Sequence, residues 1–329
     1  MDEPDASFQL TVIRRLKQVI KKLLRVAPPP PQPQPARHAL WSIGIFTGTS
    51  PLTLVPNGGI ANPVITRDSV TDVPASFVAD PFLMRVGKTW HLFFEVLNRR
   101  SGRGEIGLAT SDDLASWQYQ RIVLAEPFHL SYPLVFEWQG ALYMVPESHE
   151  AESIRLYRAD PFPGEWKHVH TLLDGSPFSD TTVFRHDERW WLFTQNSLTG
   201  KHDNLRLYFA DDLFGTWTEH PQSPIVDGDP HTARPAGRVV RVGDSLLRFA
   251  QDCKPRYGLS VAAFEIATLT TTTYVERPAS ATPILGGSST GWNAARMHQV
   301  DAHEVEPGRW IAAVDGAFNT TKADIDGTP

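Results

Sequence analysis

Leu108-Ala-Thr-Ser-Asp-Asp-Leu-Ala-Ser-Trp117, Leu156-Tyr-Arg-Ala-Asp-Pro-Phe-Pro-Gly-Glu-Trp166 and Leu207-Tyr-Phe-Ala-Asp-Asp-Leu-Phe-Gly-Thr-Trp217 are three copies of one signature. Their tryptophans fall about 50 residues apart, the period of a four-stranded propeller blade. A second series precedes each copy and continues beyond them. Asp80-Pro81-Phe82, Tyr132-Pro133-Leu134, Asp180-Thr181-Thr182 and Arg234-Pro235-Ala236 each open a strand, and a second strand follows: HLFFE, LYMVPE, WWLFTQ and LLRFAQ. Those second strands end in Glu95, Glu147, Gln195 and Gln251. A fifth copy begins at Met297-His298-Gln299-Val300-Asp301 and continues through WIAAVDG to Asp315. The count predicts an all-β protein, a five-bladed β-propeller over residues 41–316. The fifth copy has only two clear strands, so Trp41–Phe46 and Leu52–Val55 are expected to supply its outer pair and close the ring.

Upstream of the repeats the pattern changes. Over residues 8–26, Val12, Leu16, Val19, Leu23 and Val26 recur at helical spacing among Arg14, Arg15, Lys17, Lys21, Lys22 and Arg25, with no acid in the segment. Residues 1–26 therefore read as a basic amphipathic helix. It suits an anionic membrane surface or a partner helix, and the spacing does not choose between them. Residues 27–40 begin with APPPPQPQPA, a stiff proline-rich linker. At the other end, residues 317–329 are polar and aperiodic and are expected to be a disordered tail.

Composition agrees with this division. The 329 residues include 10 Trp and 17 Phe with 23 Gly and 27 Pro, a balance suited to strands, turns and sugar-facing surfaces. The formal net charge of −6 gives no global signal for nucleic acid. A single cysteine, Cys253, excludes an internal disulfide and suits a reducing compartment. With no run of ~18 apolar residues, the expectation is a cytoplasmic protein, peripheral at a membrane if the helix binds one.

In a propeller the first strand of each blade lines the axis, so its leading residues converge at one mouth. Asp80, Ser131, Asp180, Arg234 and His298 form that inner set, with Glu95, Glu147, Gln195, Gln251, Asp252 and Asp315 near it. Carboxylates across a pocket suit glycosyl chemistry, where one steadies an oxocarbenium-like centre and another manages the leaving-group proton. Asp80, Glu147 and Asp180 are the candidate catalytic residues. Glu95, Arg234, Gln251, Asp252, Tyr257, His298 and Asp301 are the candidate substrate-binding residues. Each aspartate could instead cap a turn, and Arg234 could either grip a phosphate or pair with Asp180 or Asp252. No cofactor and no metal is expected. Gly102-Arg-Gly104-Glu-Ile-Gly107 fits a dinucleotide fingerprint only by letter and reads as a hairpin turn, and His168-x-His170 alone defines no metal site. Residues 286–291 are a pocket loop or the connection to blade five. Trp190 and Trp191, consecutive in a strand, are expected to place one ring in the core, leaving the other free to be exposed.

The Asp80-Pro opening, the Ser-Asp-Asp-Leu-x-x-Trp repeat and the five-blade count resemble the propeller glycosidases of the arabinanase, xylosidase and fructosidase groups. The Ala79-Asp80-Pro81-Phe82, Tyr132-Pro133, Val145-Pro146-Glu147, Gln251-Asp252-Cys253 and Tyr257-Gly258 motifs, in that order, resemble the N-terminal domain of glucosamine inositolphosphorylceramide transferases. The glycosidase resemblance implies Asp80 as base and Asp180 as the residue that orients and tunes. The acid would open a later blade, where this chain has Arg234, which cannot donate that proton at neutral pH. Three functions follow as expectations: glycosyl transfer or processing on a lipid-linked or cell-envelope glycan, a non-catalytic glycan-recognition module serving a partner enzyme, or a glycoside hydrolase. The ligand class is a glycan, a glycolipid or a nucleotide sugar.

Overall fold

The computed structural model describes residues 38–196 and 200–321. The basic helix, nearly all of the proline-rich linker and the end of the tail lie outside the described residues. Among those described, no helix is long and apolar enough to cross a membrane.

Five antiparallel sheets form the ring. Blade I is Ala75–Val86, Thr89–Asn98, Arg103–Ser111 and Gln118–Leu124, and blade II is Ser131–Trp138, Ala141–Glu147, Ser153–Ala159 and Trp166–Asp174. Blade III is Phe178–His186, Arg189–Asn196, Asn204–Ala210 and Thr218–Glu219, with Val226–Asp227 added at its edge. Blade IV is Val240–Val242, Ser245–Asp252, Ser260–Leu269 and Tyr274–Pro278, with Leu285–Gly286 added. Blade V closes the ring as expected: Val300–Glu306 and Arg309–Thr320 pair onward with His38–Gly48 and then Val55–Pro56. The first closing strand is longer than the sequence suggests, and the second, expected over Leu52–Val55, is shorter and shifted to Val55–Pro56. His38 pairs with Thr320, so the last linker residues and the first four residues of the expected tail are ladder, because each supplies the hydrogen bonds the other needs.

The repeated tryptophan ends the turn between the third and fourth strands. Its indole N–H donates back to the turn carbonyl of Leu114 from Trp117 at 2.9 Å, of Pro163 from Trp166 at 3.0 Å and of Leu213 from Trp217 at 3.4 Å. In the first copy Asp113 Oδ1 accepts from the amides of Ala115 and Ser116, an Asx turn that fixes the approach. These turns lie at the far end of the strands from Asp80 and Asp180. The signature that reveals the fold is therefore remote from the chemistry.

Blades pack face to face, which removes the polar face of an ordinary antiparallel strand. Trp190 and Trp191 show the result: both are buried, one in the cluster shared with blade II and the other in the cluster shared with blade IV. The expectation that one of them could be exposed fails because strand alternation here separates two interiors. Gly102 sits in the hairpin between the second and third strands of blade I, as its turn reading requires. Residues 286–291 lead into the short helix Gly291–Asn293, whose Trp292 packs edge-on to Phe46 at 6.5 Å, so the segment is the connection to blade V.

Side chains close the axis beneath the mouth. The Tyr132 hydroxyl bonds Thr182 Oγ1 at 2.8 Å, the Gly237 carbonyl at 3.0 Å and the Gly237 amide at 2.7 Å, joining blades II and III to the entry of blade IV. Arg238 pairs with Asp301 of blade V and donates to the carbonyls of Leu83 and Val135 at 3.2 Å. Asp301 also accepts from His303 Nε2 at 2.9 Å and the Leu83 amide at 2.6 Å. Burial opposes ionisation of Asp301, but Arg238 and His303 prevail and hold its carboxyl down to about 2. A depressed carboxyl stabilises the fold above its unfolded pKa, here about 4, and that contribution is lost as the pH falls through about 2. Wild type and Asp301→Asn, compared by urea unfolding from about pH 6 downward, should differ by an amount that shrinks by on the order of 2 kcal/mol toward pH 2.

Candidate active site

Three inner strands carry the same irregularity. The register skips one residue between Ala79 and Phe82, between Ser131 and Leu134, and between Ser179 and Thr182, a bulge in each case. Asp80, Tyr132 and Asp180 stand in these bulges with φ of 52°, 47° and 48°. Non-glycine residues hold that left-handed backbone at a cost of about 1–3 kcal/mol each, so something must over-determine it. A carboxyl from the preceding blade does so. Asp315 Oδ2 accepts from the Asp80 amide at 3.0 Å, Asp80 Oδ2 from the Tyr132 amide at 3.2 Å, and Glu147 Oε2 from the Asp180 amide at 3.0 Å. The acids of the mouth thus stitch blade V to I, I to II and II to III. The turn-capping reading of these residues therefore holds, as bonds from one blade to the next.

Arg234 ends this series at the entry to blade IV. Its Nε donates to Asp180 Oδ2 at 2.5 Å, and Nη2 donates to Asp180 Oδ1 at 3.1 Å and Glu147 Oε2 at 3.4 Å. Nη1 donates to Gln195 Oε1 at 3.3 Å and His202 Nδ1 at 2.9 Å. A guanidinium has five N–H donors, and here five acceptors use them. Arg234 is the partner of Asp180, and it has no donor left for a phosphate. Gln251 Nε2 adds a bond to Asp180 Oδ2 at 2.7 Å. Burial raises Asp180, Arg234 pulls against it, and the Glu147 charge raises it again, leaving the carboxyl at about 7.

Asp80 occupies the other side of the mouth. Burial, then the charges of Glu95, Asp180, Asp315 and Glu147, push its carboxyl well above the ordinary range. His298 Nδ1 lies 2.8 Å from Asp315 Oδ2 and 3.8 Å from Asp80 Oδ1. In the tautomer that donates from Nδ1 to Asp315, Nε2 is the acceptor. Trp41 stacks on this ring at 4.0 Å, and Tyr257 meets it edge-on at 5.2 Å while its own face lies 5.0 Å from the Arg234 guanidinium. Asp80, His298 and Asp315 are the described residues that could hold a cation, with one ligand atom each within 4.8 Å of one another. A cation there would compete with the Asp80, His298 and Gln299 amides, all of which Asp315 already binds.

The expected residues thus separate. Asp80, Glu147, Asp180, Arg234, Gln251, Tyr257 and His298 come together. Glu95 lies just behind Asp80, buried and bonded at 3.1 Å to Nε2 of His129, whose Nδ1 accepts from the Gly104 amide at 2.9 Å. Asp252 points away to His231 Nδ1 at 2.9 Å, and Asp301 belongs to the closure below. Trp41, Tyr132 and His202 were not singled out from the sequence. Tyr132 is signalled by its position in the bulge series, Trp41 only by ring closure, and His202 by nothing local. A separate groove of about 800 Å³, between blades I and V, holds none of the expected residues.

The fold of this ring is also found among solved glycoside hydrolases. Two solved structures share it: a thermostable family-43 glycoside hydrolase, with TM-score 0.55, 15% identity and coverage of 79% of this chain and 92% of that one, and the exo-β-1,3-galactanase 1,3Gal43A of Clostridium thermocellum, with TM-score 0.53, 14% identity and coverage of 64% and 51%. The chain itself belongs to the family described as glucosamine inositolphosphorylceramide transferase 1, N-terminal, which it matches over residues 34–317. It is 38% identical over 307 residues to glucosamine inositolphosphorylceramide transferase 1 of Oryza sativa subsp. japonica and 37% identical over 298 residues to that of Arabidopsis thaliana. The matches take in 86% and 84% of this chain but only 40% and 39% of those proteins.

Proposed function

We propose that the axial mouth takes a glycosyl unit of a lipid-linked or cell-envelope glycan and that Asp80 acts on it. One observation carries this reading. Of the three candidate catalytic acids, Glu147 and Asp180 are held by Arg234, whereas Asp80 stands outside that fork with its carboxyl raised. Such a group keeps its proton to higher pH and can donate it, or a hydrogen bond, to a leaving oxygen. His298 Nε2 is the neighbouring acceptor. The names of the curated relatives, which join a sugar, a phosphoryl group and a lipid, support the ligand class.

Screening nucleotide sugars and glycolipids for thermal stabilisation identifies the ligand, since binding raises stability by mass action. Asp80→Asn should then keep binding and lose about 10²-fold or more in turnover. The same variant should be the more stable protein at neutral pH. The folded state holds Asp80's proton after the unfolded chain has released it, so the parent loses stability as the pH rises above about 4, whereas asparagine does not titrate. Loss of binding in Asp80→Asn, or unchanged turnover, would overturn the assignment. A second reading is favoured by the five occupied donors of Arg234: the mouth recognises a glycan for a partner enzyme. Ligand binding with no turnover in the parent protein would select it.

A further inference from the structure

Arg256 and Arg296 stand beside Tyr257 at the rim of the site. Arg256 is exposed in the loop between the second and third strands of blade IV, next to Tyr257. Arg296 is half-buried, donating from Nη1 to the Tyr257 carbonyl at 3.1 Å and from Nη2 to Asn319 Oδ1 at 3.2 Å. Arg296 thus bonds the residue that follows Arg256 in the chain, and burial, then the Arg256 charge, lowers its pKa. Among the described residues neither guanidinium forms an ion pair. Two like charges near one another are relieved when an anion joins them.

The pair connects to the acidic floor through one ring. The Arg296 guanidinium carbon lies 5.8 Å from the centroid of Trp41, which stacks on His298 at 4.0 Å, and His298 bonds Asp315. Tyr257 joins the same wall from the other side, between His298 and Arg234. A ligand with its anionic group on the arginines therefore has its next unit over the mouth. Arg234, which the sequence nominates for that task, cannot perform it with five donors engaged.

We propose that Arg256 and Arg296 form a phosphate subsite on the rim, gripping the phosphodiester or diphosphate of a ligand whose sugar enters the axial mouth. The subsite rests on the mouth being the ligand site. Planar guanidinium forks suit phosphate oxygens, and Arg296 retains Nε–H and one N–H on each terminal nitrogen for them. The phosphate comes from a lipid headgroup or from a nucleotide sugar, and the two sources are separable with soluble probes.

Titration calorimetry on the full chain with glycerophosphoinositol, UDP-glucose, inorganic phosphate and unphosphorylated methyl glycosides tests this. One of the first two should bind, and which one does so more tightly names the source. Arg256→Gln/Arg296→Gln should weaken that binding about tenfold or more, whereas Arg100→Gln/Arg103→Gln, which removes two exposed charges from the blade I hairpin, should leave it unchanged. Arg256→Gln alone, at an exposed side chain with no ion pair among the described residues, should show part of the effect without harm to the fold. Equal weakening by both pairs would reduce the effect to general charge and overturn the subsite, as would unchanged affinity in the rim variants or failure of both phosphorylated probes to bind. If methyl glycosides bind while the phosphorylated probes do not, the subsite falls and the mouth stands. If inorganic phosphate binds through the arginines as well as any sugar-bearing probe does, the subsite stands and the glycan reading of the mouth falls.

Discussion

Arg234→Met is expected to destabilise the propeller by about 3–5 kcal/mol, read from the urea midpoint at constant m-value. The loss comes from what remains behind. Asp180 is 1% exposed, Arg234 is its charge partner, and Glu147 shares the same guanidinium. Removing the cation leaves two carboxylates close together in a dry site, and one must take up a proton or the strands must part. Two further variants isolate this cause. Arg234→Met/Glu147→Gln/Asp180→Asn removes all three charges and should recover part of the loss, since neutral amides still accept from the Asp180 backbone. Arg234→Lys should recover less, because an ammonium has three donors for five acceptors and cannot make the two-point contact with Asp180. A loss below about 1 kcal/mol in Arg234→Met, the value of an exposed pair, would mean that water reaches this cluster freely.

The sequence shows the ring through features that repeat, and it is silent where a contact occurs once. The Trp117, Trp166 and Trp217 turns and the five strand openings recur at one period, so blade number and the borrowing of N-terminal strands follow from counting. Asp80 and Asp180 are legible for the same reason: each occupies the bulge that opens an inner strand. The division of labour among the acids is not legible. Asp252 and Asp301 lie in the repeated segments as Asp315 and Asp80 do, yet His231 and Arg238, from segments with no repeat signature, turn them to other uses. The commitment of Arg234 depends on His202 and Gln195, two side chains of another blade. Arg256 and Arg296 are unremarkable in the chain because they meet around Tyr257 only across 40 residues of sequence.

Gly237→Ala is expected to cost about 4 kcal/mol or more, and it tests whether the closed axis is what holds the mouth in shape. Gly237 has φ +141°, a backbone state that side chains rarely adopt, and a Cβ there would lie 1.8 Å from the Val300 carbonyl oxygen and 2.9 Å from its carbon. Those atoms belong to the inner strand of blade V, which the Val300 amide anchors to the Ala236 carbonyl at 2.8 Å. The glycine cannot retreat either, because its amide and carbonyl both bond the Tyr132 hydroxyl and its carbonyl also takes Thr182. Relief of the clash must therefore move blade V, or break bonds that hold blades II and III to the axis. Gly243 supplies the control: its φ is +58° and a Cβ there meets nothing within 4 Å, so Gly243→Ala should cost only the ~1–2 kcal/mol of a left-handed alanine. If the two alanine variants unfold at the same denaturant concentration, the contacts across the axis do not constrain the ring. If Gly237→Ala folds but binds no ligand, the constraint is transmitted to the mouth through the bulges of Tyr132 and Asp180, whose strands also carry the axial bonds.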